Sequence, residues 1–218
     1  MVCHPARAVL ILLVVLAACG PSAAPATATP APTVTAPLLL NVIPAETRIG
    51  FTSAALGGSV QVQGTYGALG GVVAISEEAG QRRIRAVLLI DMPTVTVGMG
   101  LIDEALRLGL EAAAYPVGRF DATSTELVPI TEEPIAFMLA GTLDLHGQVQ
   151  PVTMVVDAAT LINEHLHAQT TMSIDLANFG ISLLEAVVSS RIRLDVTLVA
   201  DGDAPALPIT PAAGDGLD

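Results

Sequence analysis

Apolar and polar residues alternate strictly along four segments of this chain, and this alternation constrains the fold more than any other feature. The segments cover residues 84–92, 135–145, 165–174 and 191–198. Successive side chains of an extended strand point to opposite faces, so a period of two predicts strands with one apolar face. Each apolar face needs a covering surface, and the chain is therefore predicted to be an all-β protein with a shared core.

Shorter runs with weaker alternation fill most of the remaining body of the chain. They lie at residues 47–53, 59–66, 71–75, 117–127 and 152–158. Turn-forming residues separate the runs at 56–58, 67–70, 78–80, 132–134 and 146–147. These spacings suit antiparallel hairpins, and about nine short strands of this kind predict a barrel or a sandwich.

One segment, residues 98–114, departs from the strand pattern. Two apolar rows recur there at helical spacing: Leu101, Ala105, Leu108 and Ala112, and beside them Ile102, Leu106 and Leu110. The spacing predicts a helix that ends before Tyr115-Pro116, because the residue before a proline disfavours the helical conformation. We expect this helix to lie across or beside one end of the strand assembly.

The N-terminal residues have the order of an export signal. Arg7 precedes a short apolar stretch at 8–16, and the small pair Ala17-Ala18 precedes Cys19. This order resembles a bacterial lipobox, in which the cysteine is acylated and becomes the mature N-terminus. Residues 1–18 are therefore predicted to be a lipoprotein signal peptide, and Cys19 the lipidation site and membrane anchor. The alternative is an ordinary signal, cleaved after a small-residue pair, in which Cys19 has no role.

The composition of the flanking segments sets the domain boundaries. Residues 19–40 are rich in Pro, Ala and Thr and are predicted to be a tether. Residues 201–218 hold four Asp, three Pro and three Gly and are predicted to be a disordered acidic tail. The folded unit is then a single domain at 41–200.

Composition also argues against several classes of function. The formal net charge is −12, and aromatic residues make up 3% of the chain. A basic phosphate-binding footprint and base-stacking aromatics are both missing, so no nucleic-acid partner is expected. The two cysteines, Cys3 and Cys19, lie outside the body, so no disulfide or thiolate metal site is expected there.

Several short motifs follow one another in a specific order along the body of the chain. They are Ile43-Pro44-Ala45-Glu46-Thr47-Arg48-Ile49-Gly50-Phe51, Val62-Gln63-Gly64-Thr65-Tyr66, Gly71-Val72-Val73-Ala74-Ile75, Ile102-Asp103-Glu104-Ala105-Leu106, Tyr115-Pro116 with Phe120, Gly141-Thr142-Leu143-Asp144-Leu145-His146-Gly147 with Pro151-Val152, and Asn178-Phe179-Gly180-Ile181. Their order resembles that of the YceI-like family of bacterial polyisoprenoid-binding proteins. The resemblance covers residues 41–200, and each motif is weak alone but specific in order and spacing. Two departures stand out, because Ile102 and Asn178 occupy positions where the family usually has an arginine and an acid.

The resemblance implies an antiparallel eight-stranded lipocalin-like barrel with one short helical insertion. It also implies a binding protein without catalytic residues or a cofactor, whose partner is an isoprenoid quinone or a polyprenyl phosphate. An eight-stranded barrel has an interior just wide enough for side chains or one slender ligand. Apolar side chains on strand faces are the predicted ligand contacts: Phe51, Leu88, Phe120, Phe137, Leu139, Leu143, Met172 and Leu194.

Other interpretations of the same residues remain open. The apolar strand residues pack a core in most proteins, and a filled barrel would be a cell-surface interaction module without bound lipid. A hydrolase or isomerase acting on a lipid would need a carboxylate or histidine inside the barrel. Together with the export signal, the binding hypothesis predicts an exported, membrane-anchored lipoprotein of the bacterial cell envelope.

Two clusters of polar residues suggest chemistry but are assigned to the solvated surface. His165 and His167 share the polar face of one strand, without a visible third metal ligand. Asp103, Glu104 and Glu111 lie at helical spacing with Arg107 among them, which is typical of a salt-bridged helix surface. No metal site and no acid–base pair is predicted.

Overall fold

A computed structural model describes residues 36–55, 58–182 and 189–206 of the chain. Nine strands, one α-helix and one 3₁₀ turn form in this part of the chain, in agreement with the all-β prediction. The elements are β1 Leu38–Val42, β2 Arg48–Ala55, β3 Val60–Glu78, β4 Gln81–Thr96, α1 Gly100–Gly109, β5 Val117–Ser124, β6 Ile135–Leu145, β7 Gln148–Ile162, β8 His165–Asp175, the 3₁₀ turn Leu176–Phe179, and β9 Arg191–Asp201.

Eight of the strands, β2 to β9, close into a barrel. Their order around the barrel is β3-β2-β9-β8-β7-β6-β5-β4, and β4 pairs with β3 to complete the ring. Every neighbouring pair is antiparallel. The prediction of a closed, eight-stranded antiparallel barrel is confirmed.

The short strand β1 fills a gap that β2 leaves at one end of the barrel. β1 pairs with the second half of β3 on one side and with the last residues of β9 on the other. Leu40 and Val42 point inward and are buried. The sheet therefore begins at Leu38, and the first three residues of β1 fall within the segment 19–40 that its composition assigns to the tether.

The glycine-rich segment 67–70 does not form the turn that its sequence predicts. It lies inside the continuous strand β3, where the pairing with β4 shifts register on both sides of Ala68. The shift places one extra residue in β3. The residues that face inward are therefore even-numbered before it, at Tyr66 and Ala68, and odd-numbered after it, at Val73 and Ile75. A Cβ at Gly71 would collide with the carbonyl oxygen of Val87, so glycine here permits close strand pairing.

The helix α1 begins directly after β4 and lies at the barrel end where β4, β6 and β8 finish, here called the helix end. Leu106 and Leu110 face the core, which confirms a helical insertion in 98–114. Leu101 and Leu108 belong to the other apolar row and stay 91% and 69% exposed. No helix in the described residues is long and apolar enough to cross a membrane.

A buried carboxylate holds α1 on the barrel. Asp103 Oδ1 accepts a hydrogen bond from the Val97 backbone N–H at 2.7 Å, and Oδ2 accepts one from Thr96 Oγ1 at 2.8 Å. The hydrogen bond from Val97 is the main cause that lowers the pKa of Asp103. The contact ties the first turn of α1 to the end of β4 and orients the helix over the opening.

Candidate functional site: an apolar cavity inside the barrel

A cavity of about 90 Å³ lies in the middle of the barrel. Inward-facing side chains of β2 to β9 line it, because each strand places alternate residues on the inner face. Among the 21 described residues in its wall, Thr170 alone carries a polar side chain. The Thr170 hydroxyl donates a hydrogen bond to the Val155 carbonyl at 2.6 Å, so it is already satisfied by the protein.

Seven of the eight predicted contact residues line this cavity, and they come from five different strands. β4 supplies Leu88, β5 supplies Phe120, and β6 supplies three of the seven. Their contact with a ligand remains a prediction. The seven residues are Leu88, Phe120, Phe137, Leu139, Leu143, Met172 and Leu194.

Phe51, the eighth predicted residue, lies outside the cavity wall. It is buried, 4% exposed, and its ring packs against Tyr66 with centroids 5.2 Å apart. The ring also covers Gly64, where a Cβ would collide with it. The absence of a side chain at Gly64 lets the Phe51 ring turn toward Tyr66 and away from the central cavity.

Sequence reasoning missed 14 further residues of the wall. Most of them lie at alternate positions on the same strand face as a predicted contact residue, so the alternation itself could have identified them. The residues of β7 could not be found this way, because a register shift between Val156 and Ala158 changes the inward parity. The 14 are Ile49, Val73, Ile75, Ile84, Ala86, Ile90, Met154, Val156, Ala159, Leu166, Ala168, Thr170, Val196 and Leu198.

A second cavity of about 20 Å³ adjoins the first at the helix end. The two share Ile49, Ile90, Leu143 and Leu194 in their walls. Leu110 from the C-terminal side of α1 and Leu176 from the 3₁₀ turn complete the second cavity. The helical segment thus closes one end of the apolar space.

Tyr66 supplies the one polar side chain among the described residues of the second cavity. Burial raises the pKa of its phenol above the ordinary value, so the hydroxyl stays protonated at neutral pH. The Tyr66 side chain as a whole is half-buried, and its hydroxyl donates no hydrogen bond to another described residue.

A third cavity, also about 20 Å³, lies at the opposite end of the barrel, where β3 and β4 are joined. It shares Ile75, Ile84, Ala159 and Leu166 with the central cavity. Its wall contains Arg82 and the buried Val128, whose backbones exchange two hydrogen bonds of 2.7 Å. The segment between β5 and β6 is thereby held across this end of the barrel.

Four of the five residues assigned to the surface from the sequence are exposed: Glu104, Glu111, His165 and His167. The assignment is wrong for Asp103, which is 7% exposed because its carboxylate turns inward to accept hydrogen bonds from Val97 and Thr96. His165 is exposed on the outer face of β8, and its Nδ1 lies 3.0 Å from Asp201 Oδ2. No group of three His, Cys, Asp or Glu residues within 36–55, 58–182 and 189–206 is arranged to hold a metal ion. The described residues in the walls of the three cavities include no carboxylate and no histidine. Cys19 lies outside the described residues.

Comparison with known proteins agrees with this geometry. Residues 40–200 match the model of the family described as the YceI-like domain. No curated protein sequence matches the chain.

Two solved structures share the fold. A polyisoprenoid binding domain from Saccharophagus degradans, implicated in plant cell wall breakdown, superposes with a TM-score of 0.57. It is 19% identical, and the match covers 78% of this chain and 99% of that one. BcnA of Burkholderia cenocepacia has a TM-score of 0.56 and 16% identity, over 72% of this chain and 98% of BcnA.

Proposed function

The chain belongs to the YceI-like domain family, and we propose that it binds a long isoprenoid lipid inside its barrel. The observation that carries this proposal is the central cavity, whose described lining residues are apolar except for Thr170, and the hydroxyl of Thr170 is already hydrogen-bonded. A cavity of this character stays dry and favours an apolar occupant. The structural relative from Saccharophagus degradans is described as polyisoprenoid binding, which supports the same ligand class.

The energetics of the cavity favour occupation. A void of about 90 Å³ destabilises the empty barrel by about 2 kcal/mol, at about 24 cal/mol per Å³. An apolar chain that fills the void restores the lost contacts and contributes about 25 cal/mol for each Å² of apolar area it buries. Met154 and Met172 lie in the wall, and their flexible side chains can move aside to lengthen the channel.

According to this proposal, the protein is a carrier or reservoir of the lipid and not an enzyme. The described walls of the central and second cavities offer apolar contacts and the phenol of Tyr66, which suit retention of a lipid without chemical change. The seven wall residues Leu88, Phe120, Phe137, Leu139, Leu143, Met172 and Leu194 are the proposed ligand contacts.

The proposed location is the bacterial cell envelope. The support comes from the sequence, where Arg7, the apolar stretch 8–16 and Ala17-Ala18-Cys19 follow the order of a lipoprotein signal. Acylation of Cys19 would place the barrel near a membrane that holds isoprenoid lipids. Residues 20–37 would then form the tether between the anchor and β1.

One observation favours a different function, an interaction module at the cell surface. Leu101 and Leu108 lie seven residues apart on the outer face of α1 and are 91% and 69% exposed. Exposed apolar residues on one helix face are typical of surfaces that contact a partner. An interaction module does not require a ligand in the barrel, so lipid content separates the two functions.

The test is the identity of the lipid that copurifies with the protein. The full chain is expressed in a bacterium that makes isoprenoid quinones and polyprenyl phosphates, and the organic extract is analysed by mass spectrometry. We expect a stoichiometric isoprenoid that is missing from the extract of an unrelated barrel protein prepared in parallel. Protein that carries no isoprenoid, and takes up none when mixed with an isoprenoid quinone, contradicts the proposal.

A further inference from the structure

We propose that Tyr66 binds the headgroup of the ligand, and that the barrel accepts isoprenoids with an uncharged oxygen acceptor rather than prenyl phosphates. The inference rests on the proposed function and concerns the second cavity, at the helix end. There the Tyr66 hydroxyl is the one polar side-chain group in the described wall. A quinone carbonyl or a prenyl alcohol has the acceptor that this hydroxyl lacks.

The position of Tyr66 is fixed before any ligand arrives. Tyr66 lies on β3 directly opposite Ile49, which lines both the central and the second cavity. Phe51 packs against the Tyr66 ring at a tilt of 47°, and the space above Gly64 accommodates Phe51. A donor held in place this way loses little conformational entropy when it bonds a ligand.

The hydrogen-bonding state of Tyr66 favours a ligand acceptor. The Tyr66 side chain is half-buried and lines the second cavity, and its hydroxyl donates no hydrogen bond to another described residue. A donor in an apolar wall gains more from a ligand acceptor than from an apolar contact. Because burial raises the pKa of the phenol, the group remains a donor over the whole physiological pH range. A ligand oxygen placed in the second cavity can therefore accept the hydrogen bond that the Tyr66 hydroxyl has available.

Charge argues against a phosphate at the same place. No Arg or His is among the described residues that line the central and second cavities. A phosphate ester carries between one and two negative charges at neutral pH, and an unpaired buried charge is strongly disfavoured. The net charge of the chain, −12, also opposes the entry of an anion.

Arg82 is the one cationic residue among the described residues of the three cavity walls. It lines the third cavity, at the end away from Tyr66, and its cross-strand neighbour in the sheet is Glu77. Neighbouring carboxylates offset the attraction of this guanidinium for an anion. Arg82 thus defines the alternative headgroup position that the experiment must separate from Tyr66.

The experiment measures binding of three probes to delipidated full-length protein by isothermal titration calorimetry. The probes are a quinone with two isoprene units, farnesyl diphosphate, and the saturated hydrocarbon farnesane, each in the same detergent. Tyr66→Phe should weaken the quinone about 2- to 10-fold, the range for one lost hydrogen bond, and leave farnesane unchanged. Farnesyl diphosphate should bind wild-type protein at least about tenfold more weakly than the quinone, as expected for an unpaired buried charge.

Tyr115→Phe is the matched control, because it removes the same hydroxyl from the second of the two tyrosines in the chain. Tyr115 packs against His146 with ring centroids 4.3 Å apart and lies outside the walls of all three cavities. This variant should bind the quinone like the wild type. Equal loss in both tyrosine variants would assign the effect to general destabilisation and overturn the role of Tyr66.

The remaining outcomes distinguish this inference from the proposed function. If Tyr66→Phe leaves the binding of both the quinone and farnesane unchanged, the inference is overturned. The barrel is then still supported as a lipid site. Tight binding of farnesyl diphosphate that Arg82→Gln abolishes also overturns it, and places the headgroup at the other end. Wild-type protein that binds none of the three probes overturns both the inference and the proposed function.

Discussion

Replacement of Leu139 by tryptophan tests whether the inner face of β6 shares its space with a ligand. Leu139 is 5% exposed and lines the central cavity, opposite Met154 of β7 and Ser124 of β5 in register. An indole at this position extends into the middle of the barrel. If a lipid occupies the cavity, the ring and the lipid compete for the same volume.

The cost to folding should be modest because the cavity takes up part of the added volume. Overpacking of a filled core costs about 1–3 kcal/mol. The void of about 90 Å³ beside Leu139 leaves the indole room, so we expect the lower end of that range, about 1 kcal/mol. The variant should therefore remain folded while its lipid content falls severalfold.

The assay compares copurified lipid per mole of folded protein in the wild type and two tryptophan variants. Met138→Trp is the control, because Met138 precedes Leu139 on the same strand, is 42% exposed and faces outward. We expect Leu139→Trp to lose lipid and Met138→Trp to retain it. Equal lipid in all three proteins would mean that the ligand does not use the inner face of β6, and would refute the assignment.

Three further substitutions test the anchor, the helix attachment and the support of Tyr66. Cys19→Ser should release the protein from the membrane fraction or leave unprocessed precursor, and unchanged fractionation would contradict the lipoprotein prediction. Asp103→Asn should lower the Tm at pH 7. The ordinary pKa of 3.8 is lowered in the folded state, so the wild-type advantage should be complete above about pH 5 and shrink as the pH falls further. A constant difference down to pH 2 would contradict this. Gly64→Ala adds a Cβ that collides with the Phe51 ring and should destabilise the barrel by about 1–3 kcal/mol in thermal unfolding. Gly100→Ala is the control for Gly64→Ala. It adds a Cβ at a helical position with open space around it, and it should be neutral or stabilising by up to about 1 kcal/mol.

The sequence by itself determined which faces of the strands are apolar. Alternation along β4, β6, β8 and β9 depends on the geometry of a single extended chain, in which neighbouring side chains always point to opposite sides. For this reason seven of the eight predicted contact residues lie in the cavity wall. The helical spacing of 98–114 is equally local, and α1 forms within it.

Tertiary structure decided what local periodicity does not encode. α1 has two apolar rows, and contact with the barrel determined that Leu106 and Leu110 face inward while Leu101 and Leu108 face solvent. The glycines at 67–70 have the composition of a turn, yet pairing with β4 keeps β3 continuous through them. In both cases partners distant in sequence select between conformations that the local residues allow almost equally.

The same distinction separates the predicted contacts from the polar feature of the site. Alternation assigns Phe51 to an inner face but does not determine its depth in the barrel or the direction of its ring. Closure of the sheet brings Phe51, Gly64 and Tyr66 together, and it places Tyr66 in the wall of the same apolar cavity as Leu110. Periodicity determines the side of a strand on which a residue lies, whereas the closed barrel determines which residues meet there.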